Sequence, residues 1–228
     1  MHVRKDAAMG TMARRLREPA NGLTHLLGAL LSLVALVALV AIGIRSGSAT
    51  VLVALVIFGL SQVALYTAST LHHSLDLSPA GNARLLRFDC TMVVVLIAGT
   101  YTPVCLFALR GIWRWGLLGA IWGLTLLGLV MMARWMDAPR WASTTFYVAL
   151  GWVGLLATPA LFRALPLAGF AWMLAGGAVY TIGAVIFLLE RPDPYPAVFG
   201  AHALWHCFVL GGSACCFWLI VRYAVPLA

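Results

Sequence analysis

Seven apolar runs dominate the chain, near 23–44, 48–73, 86–108, 114–133, 141–161, 168–190 and 199–223. A helix needs about 20 mainly apolar residues to cross a bilayer, and each run is about that long. The gaps between them are short and turn-like or charged: Arg45 to Ser48, Asp76 to Asn82, Arg110-Gly111, Met136 to Arg140, Arg163 to Pro166 and Glu190 to Pro194. This pattern predicts an all-α fold, a seven-transmembrane helix bundle. Residues 1–22 read as a basic N-terminal segment and 23–228 as a single seven-helix transmembrane domain, with no internal repeat. The first run is too long for a signal-peptide core and no cleavage site follows it, so it is expected to stay as a helix.

Composition narrows the class further. Of the 228 residues 63% are hydrophobic and 10% charged, with a mean hydropathy of +0.97. A soluble domain carries about 45–50% apolar and about 25% charged residues, and a disordered chain is poorer still in apolar residues. Both classes are excluded, which leaves an integral membrane protein.

The net charge of +8 does not point to nucleic acid, because the basic residues punctuate the apolar runs as topology signals and headgroup contacts do. Ten Lys and Arg fall on the N-terminal side of the membrane (Arg4, Lys5, Arg14, Arg15, Arg17, Arg84, Arg87, Arg134, Arg140, Arg191) and five on the other. The positive-inside rule then predicts a cytoplasmic N-terminus and, after seven spans, a C-terminus outside. In a bacterium that means a multi-pass protein of the cytoplasmic (inner) membrane. Trp113, Trp115, Trp135 and Trp141 fall at span ends, where interfacial Trp belongs. The five cysteines (Cys90, Cys105, Cys207, Cys215, Cys216) lie inside apolar runs with no CxxC spacing and read as small buried hydrophobes.

That topology brings distant polar residues to one level. His25 opens the first span, His72 and His73 close the second, and His202 and His206 open the seventh. Asp89, near the start of the third, lies at the same depth, as do Glu18 and Asn21 just ahead of the first. An ionisable group within hydrocarbon costs several kcal/mol and normally faces a partner or cavity. His202 and His206 are i,i+4, so their rings leave one helix face about 6 Å apart along the axis. Two such rings can hold a divalent ion, and a third imidazole makes a three-His site with one open position, the pattern of catalytic zinc. His73 is the natural third ligand, on a stripe with Ser69 and Tyr66. Zinc would lower the pKa of a water there towards about 7, with Asp89 as general base and Ser69 as polar support. Asp89 has a second reading, an ion pair with Arg84 or Arg87. His25, Glu18 and Asn21 either cap the first helix or support the site from behind. His72 and His2 read as structural interfacial histidines, and Cys90 and Cys207, about 100° round their helices from site residues, read as buried.

Four segments carry a family resemblance: Glu18-Pro19-Ala20-Asn21-Gly22-Leu23-Thr24-His25; Ser69-Thr70-Leu71-His72-His73; Arg87-Phe88-Asp89 continuing through Gly99-Thr100-Tyr101-Thr102-Pro103; and Phe199-Gly200-Ala201-His202 through Val209. In these the chain resembles bacterial hemolysin III proteins, within the progestin and adipoQ receptor superfamily that includes the adiponectin receptors. The resemblance implies seven helices, a cytoplasmic N-terminus and an intramembrane zinc near the cytoplasmic face. Its ligands would be His73, His202 and His206, with a water held by Asp89 and Ser69. It also implies kinship with alkaline ceramidases, which share the Ser, Asp and three-His pattern. One departure is visible, at Cys216-Phe217, where the family usually has a His before the Phe.

The expected function is a zinc-dependent hydrolase acting on a lipid amide or ester, with membrane lipids as partners and no nucleic acid. Two other readings stand beside it, a cytolytic hemolysin and a receptor-like regulatory protein with structural zinc. Against cytolysis, no polar stripe runs the length of any apolar run.

Overall fold

The computed structural model describes residues 16–135 and 139–228. Arg4, Lys5, Arg14 and Arg15 of the charge count, His2, and Met136 to Ala138 of the fourth gap lie outside the described residues. Among those described, seven helices are long and apolar enough to cross a membrane. In chain order the helices are α1 (Pro19–Arg45), α2 (Ala49–Ser74), α3 (Pro79–Ala108), α4 (Gly111–Arg134), α5 (Arg140–Trp152), α6 (Thr158–Ala164), α7 (Leu167–Leu189) and α8 (Ala201–Leu219). Helices α5 and α6 are the two halves of the fifth span, joined by a 3₁₀ turn over Val153–Ala157.

Local chemistry sets the helix ends. Pro79 stands in the first turn of α3 and the Ser78 hydroxyl accepts the Gly81 N–H, so α3 begins seven residues ahead of the expected run. Proline is suited to that turn because its missing N–H would find no helical partner there. Pro19 does the same for α1, which places Asn21 inside the first turn rather than before it. Ser48 caps α2 by accepting the Val51 N–H.

The apolar core occupies the half of the bundle away from the histidines, around Leu39, Phe58, Phe107, Ile121, Leu150 and Leu219. Large apolar side chains also cover the outside: Val34 and Val37 are each 71% exposed, a surface suited to lipid and costly in water. Gly99 of α3 lies against Ser61 of α2 so closely that a Cβ would collide with its side chain. Two residues on, the Tyr101 hydroxyl donates to Gly151 O (2.6 Å) and accepts from Gly154 N (2.8 Å). Those backbone groups are freed where the fifth span breaks, and hydrocarbon offers them no partner. Tyr101 is therefore what makes the break tolerable.

The cysteines depart from expectation. All five are free thiols; Cys105 and Cys216 are buried, Cys90 and Cys215 are half-buried, and Cys207 is exposed. Lipid, being as apolar as the core, lets Cys207 face outward without cost.

Candidate metal centre

Five helix ends meet at one end of the bundle: the starts of α1, α3 and α8 and the close of α2 and α7. Close packing of α1 brings its residues in. A Cβ on Gly28 would come 2.6 Å from Tyr66 Cδ1 and 2.8 Å from Leu210 Cδ2, so only glycine lets α1 lie this near α2 and α8.

The rings of His73, His202 and His206 surround a common point. Their centroids are 4.7–5.0 Å apart pairwise, with interplanar angles of 64–84°. One ring nitrogen from each lies within 4.8 Å of the others. A second such group joins His72, His73 and the Asp89 carboxylate.

Hydrogen bonds decide which nitrogens are free. His73 Nδ1 lies 2.7 Å from Glu18 Oε2. That bond holds the Glu18 carboxyl down at about 2, with Asn21 Nδ2 assisting from 2.7 Å and burial opposing. Glu18 is thus ionised and can only accept, which makes His73 Nδ1 the donor. In the neutral imidazole Nε2 of His73 then carries the lone pair; it is buried and has no hydrogen-bond partner. It faces Asp89 Oδ2 at 3.9 Å, beyond hydrogen-bonding reach.

On α8, His206 Nδ1 lies 3.2 Å from Asn21 O and 3.1 Å from Thr24 Oγ1, whose own hydroxyl donates to Ala20 O and Asn21 O. Nδ1 of His206 is therefore also a donor, leaving Nε2 as the acceptor. A histidine that donates one nitrogen to a carboxylate or carbonyl and keeps the other bare is the arrangement metal ligands use. A buried bare nitrogen beside a carboxylate is costly unless a cation or proton lies between them. On those grounds the donor set fits a metal ion, and three imidazoles suit zinc.

Each residue singled out from the sequence can now be placed. Asp89 faces His73, and among the described residues it forms no ion pair with Arg84 or Arg87. Ser69 is buried beside the Asp89 carboxylate. Glu18 and Asn21 do not cap α1 with their side chains; they turn to His73 and, through the Asn21 carbonyl, to His206. His25 does not cap either. It stacks on His206 (centroids 3.5 Å apart, 16°), is 3% exposed, and neither ring nitrogen has a partner. Tyr66 packs edge-on to His25 at 5.1 Å and donates its hydroxyl to Ser213 Oγ at 2.6 Å. The residue that sequence reasoning set aside is His72, which is buried with a bare Nδ1 at the Asp89 side of the cluster. Its signal was its place three residues after Ser69, on the same side of α2.

Ser69, His72, His73, Asp89, His202 and His206 line the end of an apolar cavity of about 270 Å³. From them it runs between α3, the fifth span, α7 and α8 as far as Leu161 and Leu219. Leu155 and Leu174 line it too and stand partly outside the bundle. Cys216, where the resemblance led us to expect His, lines the cavity beyond the histidine cluster. The arrangement can hold a metal and a water at one end of a slot shaped for an apolar chain.

Seven apolar helices with a histidine cluster buried at one end define a class of polytopic membrane protein. Within it, the chain belongs to the Haemolysin-III related family, which it matches over residues 13–217. It is 39% identical over 211 residues to Hemolysin-3 of Bacillus cereus, covering 92% of this chain and 93% of that one. It is 38% identical over 210 residues to the Hemolysin-3 homolog of Bacillus subtilis (strain 168), covering 92% and 95%. Similarity extends to Monocyte to macrophage differentiation factor of Homo sapiens, 24% identical over 176 residues, 73% of this chain and 68% of that one.

Proposed function

We propose that the protein is a zinc-dependent hydrolase of a lipid amide or ester, with His73, His202 and His206 as the metal ligands. The observation that carries this is the opening of the three-His group, with a carboxylate beside it, into an apolar cavity within the spans. Zinc in that site supplies Lewis-acid polarisation of a carbonyl and a lowered pKa for a water. Asp89 accepts the proton of the attacking water and returns it to the leaving nitrogen or oxygen. Ser69 orients the Asp89 carboxylate, and Glu18 fixes the His73 tautomer. The cavity binds the acyl chain and keeps bulk water from the reacting bond. We place the cluster at the cytoplasmic face of a bacterial inner membrane, in keeping with the ten-to-five bias of Lys and Arg.

The experiment is turnover of acyl amides and esters by purified, zinc-loaded protein, compared with Asp89→Ala. Hydrolysis lost in Asp89→Ala supports the reading. Zinc-loaded protein that cleaves no lipid amide or ester overturns it.

A cytolytic role is favoured by the name its Bacillus relatives carry. Against it, the histidines and Asp89 gather at one end of the bundle while the opposite half is packed with apolar side chains. Dye leakage from liposomes, for wild type against a His202→Ala/His206→Ala variant, separates the two. In the regulatory reading with structural zinc, His-to-Ala changes lower thermal stability and no chemistry is lost.

A further inference from the structure

The histidine end carries a second set of donors that the three-His site leaves unused. His72 is 8% exposed, and among the described residues its buried Nδ1 has no hydrogen-bond partner. Consecutive residues leave a helix about 100° apart, yet the His72 and His73 rings converge, with centroids 4.7 Å apart at 60°. The Asp89 carboxylate completes the set, since one donor atom from each of the three lies within 4.8 Å of the others. Asp89 Oδ2 is 3.9 Å from His73 Nε2. That is too far for a hydrogen bond and a little wider than the roughly 3.4 Å between two ligand atoms on tetrahedral zinc.

The two sets cannot be filled together. His73 Nδ1 is committed to Glu18, so Nε2 is the nitrogen His73 offers to either set, and its one lone pair binds one ion. The sets also differ in what builds them. Joining His73 to His202 and His206 needs α2 and α8, the second and the last spans. His72, His73 and Asp89 come from α2 and α3, consecutive helices joined by Leu75 to Ser78, so this set is complete without α8. Imidazole suits zinc, whereas carboxylate favours harder ions, which makes the set with Asp89 the weaker of the two. An ion bound there takes the Asp89 carboxylate as a ligand and removes it as a proton acceptor.

We propose a second, weaker metal position at His72, His73 and Asp89, which a single divalent ion occupies in alternation with the three-His position without leaving His73. It is a holding position, because the carboxylate is engaged for as long as the ion stays there. Transfer to His202 and His206 frees Asp89. The proposal rests on the reading of His73, His202 and His206 as metal ligands, but not on turnover.

The test is cobalt(II) binding to the full, metal-stripped protein in detergent, followed by visible absorption, with circular dichroism as the check on folding. Wild type should bind about one cobalt per chain, and zinc-loaded wild type no further cobalt. His202→Ala/His206→Ala, which keeps almost no metal through purification, should still take up added cobalt, about a hundredfold more weakly and with a changed band. Adding His72→Ala to that variant should abolish the uptake, while His72→Ala alone should keep the wild-type affinity within about threefold. His202→Gln/His206→Gln replaces the alanine pair if the latter fails to fold. A double variant that binds no added cobalt, binding that survives His72→Ala, or a second ion in zinc-loaded wild type would each overturn the proposal. So would a loss in His72→Ala alone as large as in His73→Ala, which would put His72 in the first set. None of these readouts involves turnover, so their failure leaves the hydrolase reading standing. Cobalt binding as described with no lipid cleavage sinks that reading alone.

Discussion

Glu18 Oε2 lies 2.7 Å from His73 Nδ1, across a separation of 55 residues in sequence. The backbone repeats the connection, since Glu18 N–H donates to His73 O at 2.8 Å. The start of α1 is therefore fastened to the close of α2 at the residue whose other nitrogen is bare. Carboxylate partners of this kind raise ligand basicity, and losing them typically costs about 10–100-fold in metal affinity. Glu18→Ala should weaken zinc binding by about that factor, measured by competition with a chelator, while the helical circular dichroism stays unchanged. Unchanged affinity would remove Glu18 from the account.

The break in the fifth span gives a prediction about stability alone. Tyr101→Phe removes the hydroxyl that serves both Gly151 O and Gly154 N. Leaving polar groups unpaired where water does not reach them, Gly154 N in the bundle and Gly151 O facing hydrocarbon, costs about 1–3 kcal/mol each, so the melting temperature in detergent should fall clearly. Zinc content should not change, because Tyr101 touches none of the three histidines.

Two glycine substitutions should have opposite signs. Gly28→Ala drives a Cβ into Tyr66 and Leu210, an overpacking that costs about 1–3 kcal/mol. Because α1 carries Glu18 and Asn21, metal affinity should fall with stability. At Gly119 of α4 an added Cβ meets nothing within 4 Å. Gly119→Ala should be neutral or gain up to about 1 kcal/mol. Thermal melts of the two variants, with equal losses as the contrary result, check this.

Orientation is tested by reporters fused to the C-terminus. An outside C-terminus predicts an active alkaline phosphatase fusion and a dark green fluorescent protein fusion. The reverse pair of results would put the histidine cluster on the other face.

Much of this arrangement was legible because hydropathy and helix geometry fix it. Runs of about 20 apolar residues must be helices in lipid, and successive helices must reverse direction. His25, His73 and His202 thus share a level before any contact is known. The i,i+4 spacing of His202 and His206 needs only the helical repeat. What could not be read depends on how helices rotate and approach. His72 lies next to His73 in sequence, about 100° round α2, and its burial follows from how broad a face α2 hides, from Leu65 through Tyr66, Ala68 and Ser69. The break at Val153–Ala157 has a signal in the sequence, Pro159 in the first turn of α6, which withholds an N–H from the preceding turn. What the sequence could not show is its partner, Tyr101, which lies on another helix. From the sequence Glu18 either caps the first helix or supports the site; its turn towards His73 requires the approach that Gly28 permits. Cys207 faces outward because lipid removes the distinction between apolar outside and apolar inside.

His73, His202 and His206 are expected to hold one metal ion between them. Elemental analysis of purified protein tests it most directly, for wild type, His73→Ala and His202→Ala/His206→Ala. We predict about one zinc per chain in wild type, as expected of three convergent imidazoles with one open position, and almost none in either variant while both remain helical. A metal-free wild type, or a double variant that keeps its zinc, would contradict the account.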